Sequence, residues 1–232
     1  METTLHRQLK ERYAGEHART EARLGRYRID VLADDELIEI QHGSLSAIRD
    51  KIRDLLGEHR VRVVKPIVAN KILVKRGRRG GRVIERRRSP KRGTLLDLFG
   101  ELVYFTRVFP HPNLILEALL VDVEEDRYPG HGRRRRWRKG DHVVADQRLV
   151  AVHGGLELRV AADLRRLAPC EVPTPFDTGH LAVALEVSRT LAQRIAYCYR
   201  QMGAARQVGK QGNAALYEFV ETPPTARKRR VA

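Results

Sequence analysis

Cysteine, tryptophan and long apolar runs are scarce in this sequence, and each scarcity excludes a class of protein. The 232 residues include two cysteines and one tryptophan. Because Cys170 and Cys198 belong to no CxxC pair, the chain has neither a zinc ribbon nor a dense disulfide framework. No apolar run approaches the roughly 18 residues that span a bilayer, and no signal-peptide pattern opens the chain. We therefore expect a cytoplasmic protein that does not enter a membrane.

Acidic residues are outnumbered, and this imbalance is the most unusual feature of the composition. Lys and Arg number 45 against 29 Asp and Glu, which gives a formal charge of +16. Nucleic acid, an anionic membrane surface and an acidic protein would each satisfy such a charge, and a polyanionic partner is the natural inference. The 9 histidines show no HExxH or similar ligand spacing, so we treat them as surface or packing residues.

The first 76 residues predict a mixed α/β unit in the order α-β-β-β-α-β-β. Residues 1–13 have helical spacing of apolar side chains, with Glu2 at the start. Three short strand-like segments follow. Residues 46–56 predict a helix with Ser46 as its N-cap, and residues 61–67 and 71–76 return to strand.

A basic extension over residues 77–166 is expected to complete the N-terminal domain. Residues 75–92 hold ten Lys or Arg and one acid, which predicts an exposed basic loop or hairpin. Residues 93–109 predict a second helix, and the apolar segment after it predicts helix or strand. The basic run 133–139 contains Trp137, which either stacks on a base or packs in the core.

Three prolines mark residues 167–175 as a linker, and the pattern beyond it changes to compact helices and a hairpin. Residues 176–221 predict a short helix, a turn, a longer helix from Ser188 and a β-hairpin. A basic tail, residues 222–232, ends the chain. The longer helix has a stripe of apolar residues at helical spacing, which are Leu191, Ile195, Cys198 and Met202.

The exposed side of that longer helix carries residue types that contact bases and phosphates. A helix-turn-helix presents the start of its second helix to the major groove. The whole segment resembles a winged helix, with Lys210 and Gln211 at the tip of the wing. The alternative is a module for protein contact. The candidate DNA-binding residues are Arg189, Thr190, Gln193, Arg194 and Lys210.

Two carboxylates are placed unusually in the hairpin that residues 29–44 predict. A turn at residues 33–36 sets Asp30 opposite Glu39, with both side chains on one face. Opposed β-carbons lie about 4.5–5.5 Å apart, where like charges repel, and a divalent cation would remove that cost. The two carboxylates and the carbonyl of Ile40 suit Mg²⁺ or Mn²⁺, which bind phosphate oxygens and activate water. The alternative is a hairpin with a merely acidic solvent face.

The same register predicts an apolar underside for this hairpin. It is formed by Tyr27, Ile29, Val31, Ile38 and Ile40.

Asp30, then eight residues, then Glu39-Ile40-Gln41 after a hairpin and before a helix resembles the core of the PD-(D/E)XK nuclease superfamily. This superfamily includes type II restriction enzymes and archaeal Holliday-junction resolvases. The order of elements is similar too. The resemblance covers about residues 1–76 and implies an α/β fold with a restriction-endonuclease-like mixed sheet flanked by helices.

The resemblance implies roles for the acids. Asp30 and Glu39 would bind the metal, and Glu2 is the candidate for the acid that the first helix of the superfamily often contributes. Glu16 and Glu21 are alternatives for that first acid.

Gln41 stands where the superfamily has a lysine that positions or activates the attacking water. ExQ variants occur among superfamily members, and loss of the lysine also occurs in inactive ones. Lys51, on the helix that follows, either supplies the missing cation or is a solvated helix-face lysine.

The sequence as a whole predicts a metal-dependent endonuclease-like protein that binds duplex or branched DNA. One alternative is a DNA-binding regulatory or architectural protein without catalysis, and another is an RNA-binding protein. The resemblance also implies that two copies can act as a homodimer, since each nuclease site cuts one strand.

Overall fold

The sheet at the centre of the molecule is seen in a computed structural model that describes residues 2–130 and 141–221. Within those residues, seven strands form one mixed sheet in the order β1-β2-β3-β4-β6-β7, and β5 also pairs with β4. The strands are β1 (Arg19–Leu24), β2 (Tyr27–Ala33), β3 (Glu36–Ile40), β4 (Arg60–Arg76), β5 (Val83–Arg88), β6 (Leu114–Pro129) and β7 (His142–Leu158). Pairs β3–β4 and β4–β6 are parallel, and the other pairs are antiparallel.

Helices cover both faces of this sheet. They are α1 (Thr4–Tyr13), α2 (Arg49–Leu55), α3 (Phe99–Leu102), α4 (Leu164–Leu167), α5 (Thr178–Ala184) and α6 (Arg189–Met202). The predicted α/β class, with a mixed sheet flanked by helices, is confirmed. No helix in the described ranges is long and apolar enough to cross a bilayer.

Helix α1 is fixed to one face of the sheet at its start and along its length. Leu5 and Leu9 are buried in a cluster with Ile38 and Ile40, because alternate residues of β3 point to this face. The Asp146 carboxylate, on β7, accepts the Thr4 N–H at 2.8 Å and so satisfies a free donor at the helix start. These contacts fix which side of α1 faces the end of β3.

The opposite face carries the larger core. Leu37, Val61 and Val63 lie there, in one cluster with the inner sides of α2 and α3. Helix α2 begins at Arg49 after a short 3₁₀ turn, Leu45–Ala47. The predicted N-cap is therefore wrong: the Ser44 hydroxyl accepts the N–H of Ser46 at 3.3 Å and caps that turn.

Two predictions of element length were wrong in the middle of the chain. Residues 61–67 and 71–76 belong to one long strand, β4, because a bulge between Val68 and Asn70 keeps it paired with β6 across the interruption. The helix predicted over residues 93–109 is reduced to a 3₁₀ turn and the single turn of α3. Aromatic and β-branched residues after Leu102 have low helix propensity.

A hairpin follows α6 in the C-terminal part, formed by β8 (Ala205–Gln211) and β9 (Ala214–Phe219). The start of α6 is confirmed, since the Ser188 hydroxyl accepts the Leu191 N–H at 3.3 Å. The predicted stripe on α6 is buried at Ile195, Cys198 and Met202 and half-buried at Leu191.

The C-terminal part shares a core with the sheet. Its α6 and β-hairpin pack into the same large cluster as α3, and the Phe99 and Tyr199 rings meet edge to face with centroids 5.6 Å apart. Residues 168–175 are without helix or strand. The predictions for Trp137, for its basic run 133–139 and for the tail 222–232 lie outside the described residues.

Candidate active site

The Asp30 carboxylate lies where the β2–β3 hairpin stops pairing. The predicted register is confirmed along the ladder, which joins Leu32 with Leu37 and Val31 with Ile38, but the ladder ends before Asp30. Instead, Asp30 Oδ2 accepts the backbone N–H of Ile40 at 2.9 Å. The side chain therefore replaces a backbone partner at the end of β3.

The backbone on the other side of Asp30 is irregular as well. Glu21, which faces it on β1, has a φ of +58° and is skipped by the β1–β2 ladder. The prediction that Ile29 and Val31 share one face was wrong: Ile29 is buried in the larger cluster, and Val31 lies under α1. The irregular backbone between them breaks the usual alternation of faces along β2. Tyr27 also packs against the larger cluster.

Asp30 and Glu39 contact different layers of the fold. Asp30 Oδ1 lies 3.1 Å from His6 Nε2 on α1. Glu39 Oε1 lies 2.5 Å from Lys51 Nζ on α2, against the other face of the sheet. The prediction that both carboxylates lie on one face of the hairpin was therefore wrong, because a helix covers each face and contacts one of them. The charge of Asp30 still acts on Glu39.

Their environments separate the two carboxylates in acidity. Burial raises the pKa of Glu39, and the hydrogen bond from Lys51 opposes this only in part. Burial would raise the pKa of Asp30 too, but the hydrogen bonds from His6 and from the Ile40 N–H outweigh it, so the pKa of Asp30 is lowered. A pair of carboxyl groups with divergent pKa values is typical of sites that use them for different roles.

Glu2, the predicted acid of the first helix, precedes α1 and reaches this cluster through its neighbours. Its Oε1 atom lies 2.5 Å from Lys10 Nζ and 3.8 Å from His6 Nε2. The hydrogen bond from Lys10 lowers the pKa of Glu2, against the effect of burial. The alternative Glu21 also contacts Lys10, whereas Glu16 is exposed in the turn after α1.

Gln41 and Lys51 differ in where their side chains end. The Gln41 amide nitrogen donates to the carbonyl of Ser44 at 2.6 Å and so holds the loop after β3. Lys51 instead donates to Glu39 and to the carbonyl of Arg28, with 18% of its side chain exposed. Lys51 thus lies beside Glu39, and its role as the missing cation stays a prediction.

Sequence reasoning missed His6, which lies between Glu2 and Asp30. The available signal was its position on α1, four residues after Glu2 and four before Lys10, which places all three on one helix face. A histidine without ligand spacing is usually a packing residue, and only the three-dimensional contact with Asp30 distinguishes this one.

The donor set at this point suits a hard divalent cation with few protein ligands. Across residues 2–130 and 141–221, no group of three or more His, Cys, Asp or Glu could hold a metal ion. Mg²⁺ is usually bound by one or two carboxylates, with water and substrate phosphate completing its shell. Asp30 and Glu39 match that set in chemistry, but a shared cation would require both carboxylates to leave His6 and Lys51 and turn towards each other at the end of β3. The predicted third ligand is the carbonyl of Ile40, whose N–H is the group that bonds Asp30.

The predicted DNA-binding residues are exposed on the C-terminal part. Four of them, Arg189, Thr190, Gln193 and Arg194, project from the first half of α6. Arg194 also lies beside α3, since a Cβ added at Gly100 would come within 3.6 Å of its guanidinium. Lys210 is exposed near the tip of the β8–β9 hairpin, where it pairs with Ala215.

Comparison with known proteins gives a family and one relative. Residues 3–159 match the model of the family described as "Domain of unknown function (DUF8091)". A protein from Treponema pallidum (strain Nichols), named "Uncharacterized protein", is 27% identical over 225 residues, which cover 96% of this chain and 86% of the relative. No solved structure matches. The family match runs from α1 to the end of β7 and includes Asp30 and Glu39, so the chain belongs to the DUF8091 family.

Proposed function

We propose that this protein binds DNA and hydrolyses its phosphodiester bonds with Mg²⁺ or Mn²⁺ held by Asp30 and Glu39. One observation carries the proposal: Lys51 Nζ lies 2.5 Å from Glu39 Oε1. A PD-(D/E)XK-type site needs a cation beside its acids, and Gln41 cannot supply one. Lys51 supplies it from α2, which restores the set of charges that the resemblance implies.

The residues would divide the work as follows. A bound Mg²⁺ supplies Lewis-acid polarisation of a phosphoryl oxygen and a water of lowered pKa. Asp30 and Glu39 would hold the cation, and His6 would orient the Asp30 carboxylate, which it contacts at 3.1 Å. With Glu39 held by a metal, the Lys51 ammonium would be free to position the attacking water or the scissile phosphate.

DNA binding is assigned to the C-terminal part, supported by the positive charge of the whole chain. Two helices followed by a hairpin occur there in the order of a winged helix, and the exposed start of α6 would enter the major groove. Lys210 at the hairpin tip would contact the backbone as a wing does. The net charge of +16 supports a polyanion as the partner.

The second candidate is a DNA-binding protein without catalysis. It is favoured by the hydrogen bonds that tie Asp30 to the Ile40 N–H and Gln41 to the Ser44 carbonyl, because these also stabilise the end of β3. In that case the acid cluster is structural, and the nuclease-like core has lost its reaction.

Nicking of supercoiled plasmid separates the two candidates. The purified full chain is incubated with plasmid in Mg²⁺, in Mn²⁺ and in EDTA, and binding is followed in parallel by gel shift. The nuclease proposal expects nicked and linear products that require the metal. DNA binding with no product in either metal would exclude the proposal and leave the second candidate.

A further inference from the structure

One edge of β4 pairs with two separate strands, which leave a gap between them. Strand β3 pairs with the first part of β4 and β5 with the last part, both on the side of β4 away from β6. The bonds on either side of the interruption run from Gln41 N to Val64 O at 2.9 Å and from Ser89 N to Lys71 O at 2.8 Å. Between them the loop after β5 contributes one bond, from Gly93 N to Val68 O at 3.0 Å. Pro66, which has no N–H to donate, lies in the stretch of β4 between them.

A cleft of about 400 Å³ occupies this interruption. Its lining includes four basic side chains, Lys65, Lys71, Lys91 and Arg127. They come from the middle of β4, from the loop after β5 and from β6. No two of these four are close in sequence except the two on β4, so neither a charge run nor a motif reveals the group.

Lys65 is the most unusual member of the group. Only 7% of it is exposed, and its ammonium donates to the carbonyls of His42 and Gly43. Among the described residues, no carboxylate forms an ion pair with it within 4 Å. The charge of Glu101, which also lines the cleft, offsets the cost of burying this cation only in part, so an anion in the cleft would stabilise it further. Burial lowers the pKa of Lys65, and the charge of Glu101 opposes this only in part.

The acids near the cleft are largely engaged elsewhere. Glu125, which is 2% exposed, serves both Lys71 at 2.6 Å and Arg127. Asp97 accepts the Thr94 N–H at 3.0 Å, and Glu101 accepts the Leu45 N–H at 2.9 Å. Each of the latter two satisfies a backbone donor at the start of a short helical turn and keeps its negative charge. The four cations therefore exceed the three acids by one positive charge.

The cleft lies next to Glu39, on the same face of the sheet. Glu39 pairs with Val63, and Lys65 is two residues further along β4 with its side chain on the same side. Strand spacing and rise place the Cα atoms of Glu39 and Lys65 about 8 Å apart.

We propose that this cleft binds a backbone phosphate of the nucleic acid, adjacent to the phosphate held at Asp30 and Glu39, with Lys65, Lys71, Lys91 and Arg127 as its ligands. The inference rests on the proposed function, because it names where the strand runs beyond the acid pair. It commits to a phosphate group because ammonium and guanidinium donors from three directions suit a multi-oxygen anion.

Three single substitutions test the cleft by DNA binding in EDTA, where cleavage plays no part. Lys65→Met removes the buried charge at similar volume, Lys91→Met removes an exposed one, and Lys75→Met removes a charge from the same strand outside the cleft. Fluorescence anisotropy with a labelled 20-base-pair duplex is expected to show about a tenfold loss of affinity for the first two. The slope of log affinity against log salt should fall by about 0.9 for each. Lys75→Met should lose less than about threefold.

Inorganic phosphate provides a second measurement that needs neither DNA nor metal. At constant ionic strength, millimolar phosphate should raise the melting temperature of the wild type and of Lys75→Met in a saturable way. The rise should be absent in Lys65→Met and reduced in Lys91→Met. If Lys65 only fixes the loop after β3, Lys65→Met melts lower but keeps the phosphate effect, and the inference is wrong.

The outcomes also separate this inference from the proposed function. Metal-dependent nicking together with a Lys65→Met variant that binds duplex and phosphate like Lys75→Met would overturn the cleft alone. Absence of nicking together with loss of duplex and phosphate binding in Lys65→Met would overturn the nuclease proposal and support the cleft as an anion site.

Discussion

Lys51 carries the strongest functional implication of any single residue in this chain. It forms its ion pair with a carboxylate that is 5% exposed, at the end of a strand, and the same ammonium reaches the carbonyl of Arg28. A lysine that only solubilised α2 would extend into water. Lys51 instead contacts Glu39, and under the proposed function this contact would place it near the phosphodiester.

Replacing Lys51 by methionine should therefore lower the rate of plasmid nicking by about 100-fold or more, the range for losing a group that assists proton transfer. Duplex affinity in EDTA should stay within about twofold, since one charge near the acids is removed and the basic surfaces remain. Arg53→Met, an exposed change on the same helix, serves as the control. Nicking by Lys51→Met at the rate of that control would remove Lys51 from the site.

Asp30 is expected to link stability to pH. Its pKa is lowered in the folded protein because the hydrogen bonds from His6 and the Ile40 N–H outweigh burial. A carboxyl group with a lowered pKa stabilises the fold above its ordinary pKa of 3.8, and this contribution is lost as the pH falls through the folded value. Asp30→Asn should thus lower the melting temperature at pH 7, with a difference that narrows towards pH 3.

Thermal melts of wild type, Asp30→Asn and Asp50→Asn across pH 3 to 7 measure this effect. Asp50 is exposed on α2 and provides the matched control. A difference for Asp30→Asn that is constant across the range would mean that its ionisation does not stabilise the fold.

The hairpin shows which part of the site could be predicted from sequence and which could not. Its turn fixes the register as far as Val31 and Ile38, and alternation along β3 predicts the burial of Ile38 and Ile40. The direction of Asp30 could not be predicted, because it depends on a break in pairing and on the positive φ of Glu21. Neither feature has a recognisable sequence pattern.

The length of β4 was predicted wrongly for a related reason. Strand β4 continues through Pro66 and a bulge because β6 pairs with it along almost its whole length, and a proline in a sequence normally argues for an interruption. Strand pairing is interrupted near Pro66, but the gap lies between β3 and β5, which pair with β4, and not in β4 itself. The local sequence therefore indicated where strand pairing breaks but not which strand would end there.

Helix α6 is the element whose predicted surface can be tested most directly. Its inner stripe is buried and its N-terminal half exposes two arginines, Arg189 and Arg194. If these contact phosphates, replacing both by alanine should lower the slope of log duplex affinity against log salt by about 1.8, which is 0.9 for each contact. Gln193→Ala should instead cost about 1–3 kcal/mol at a preferred sequence with little change in slope.

Salt titrations of duplex binding, with Arg200→Ala at the other end of α6 as a single-charge control, check this expectation. Equal slopes for the double variant and the wild type would show that α6 does not lie on the DNA. The C-terminal part would then serve another partner.

The molecule as a whole joins two regions that the sequence separates by a proline-rich linker. Phe99 and Tyr199 lie in one continuous core, so α6 is held against the face of the sheet that also carries Glu39 and Lys65. Arg194 and Gly100 are neighbours across that junction. A DNA molecule bound at α6 would thereby keep a defined position relative to the acid pair, which favours a single protein that both binds and cuts.

The central claim is that Asp30 and Glu39 cut DNA, and the most direct test is nicking of supercoiled plasmid in Mg²⁺ by the double variant Asp30→Asn with Glu39→Gln. Its matched control is Asp50→Asn with Glu58→Gln, which makes the same chemical changes at exposed positions around α2. Both variants must bind the plasmid in EDTA as the wild type does. We expect the control to nick at the wild-type rate and the double variant to leave the plasmid supercoiled. Nicking by the double variant at the rate of the control would contradict the claim.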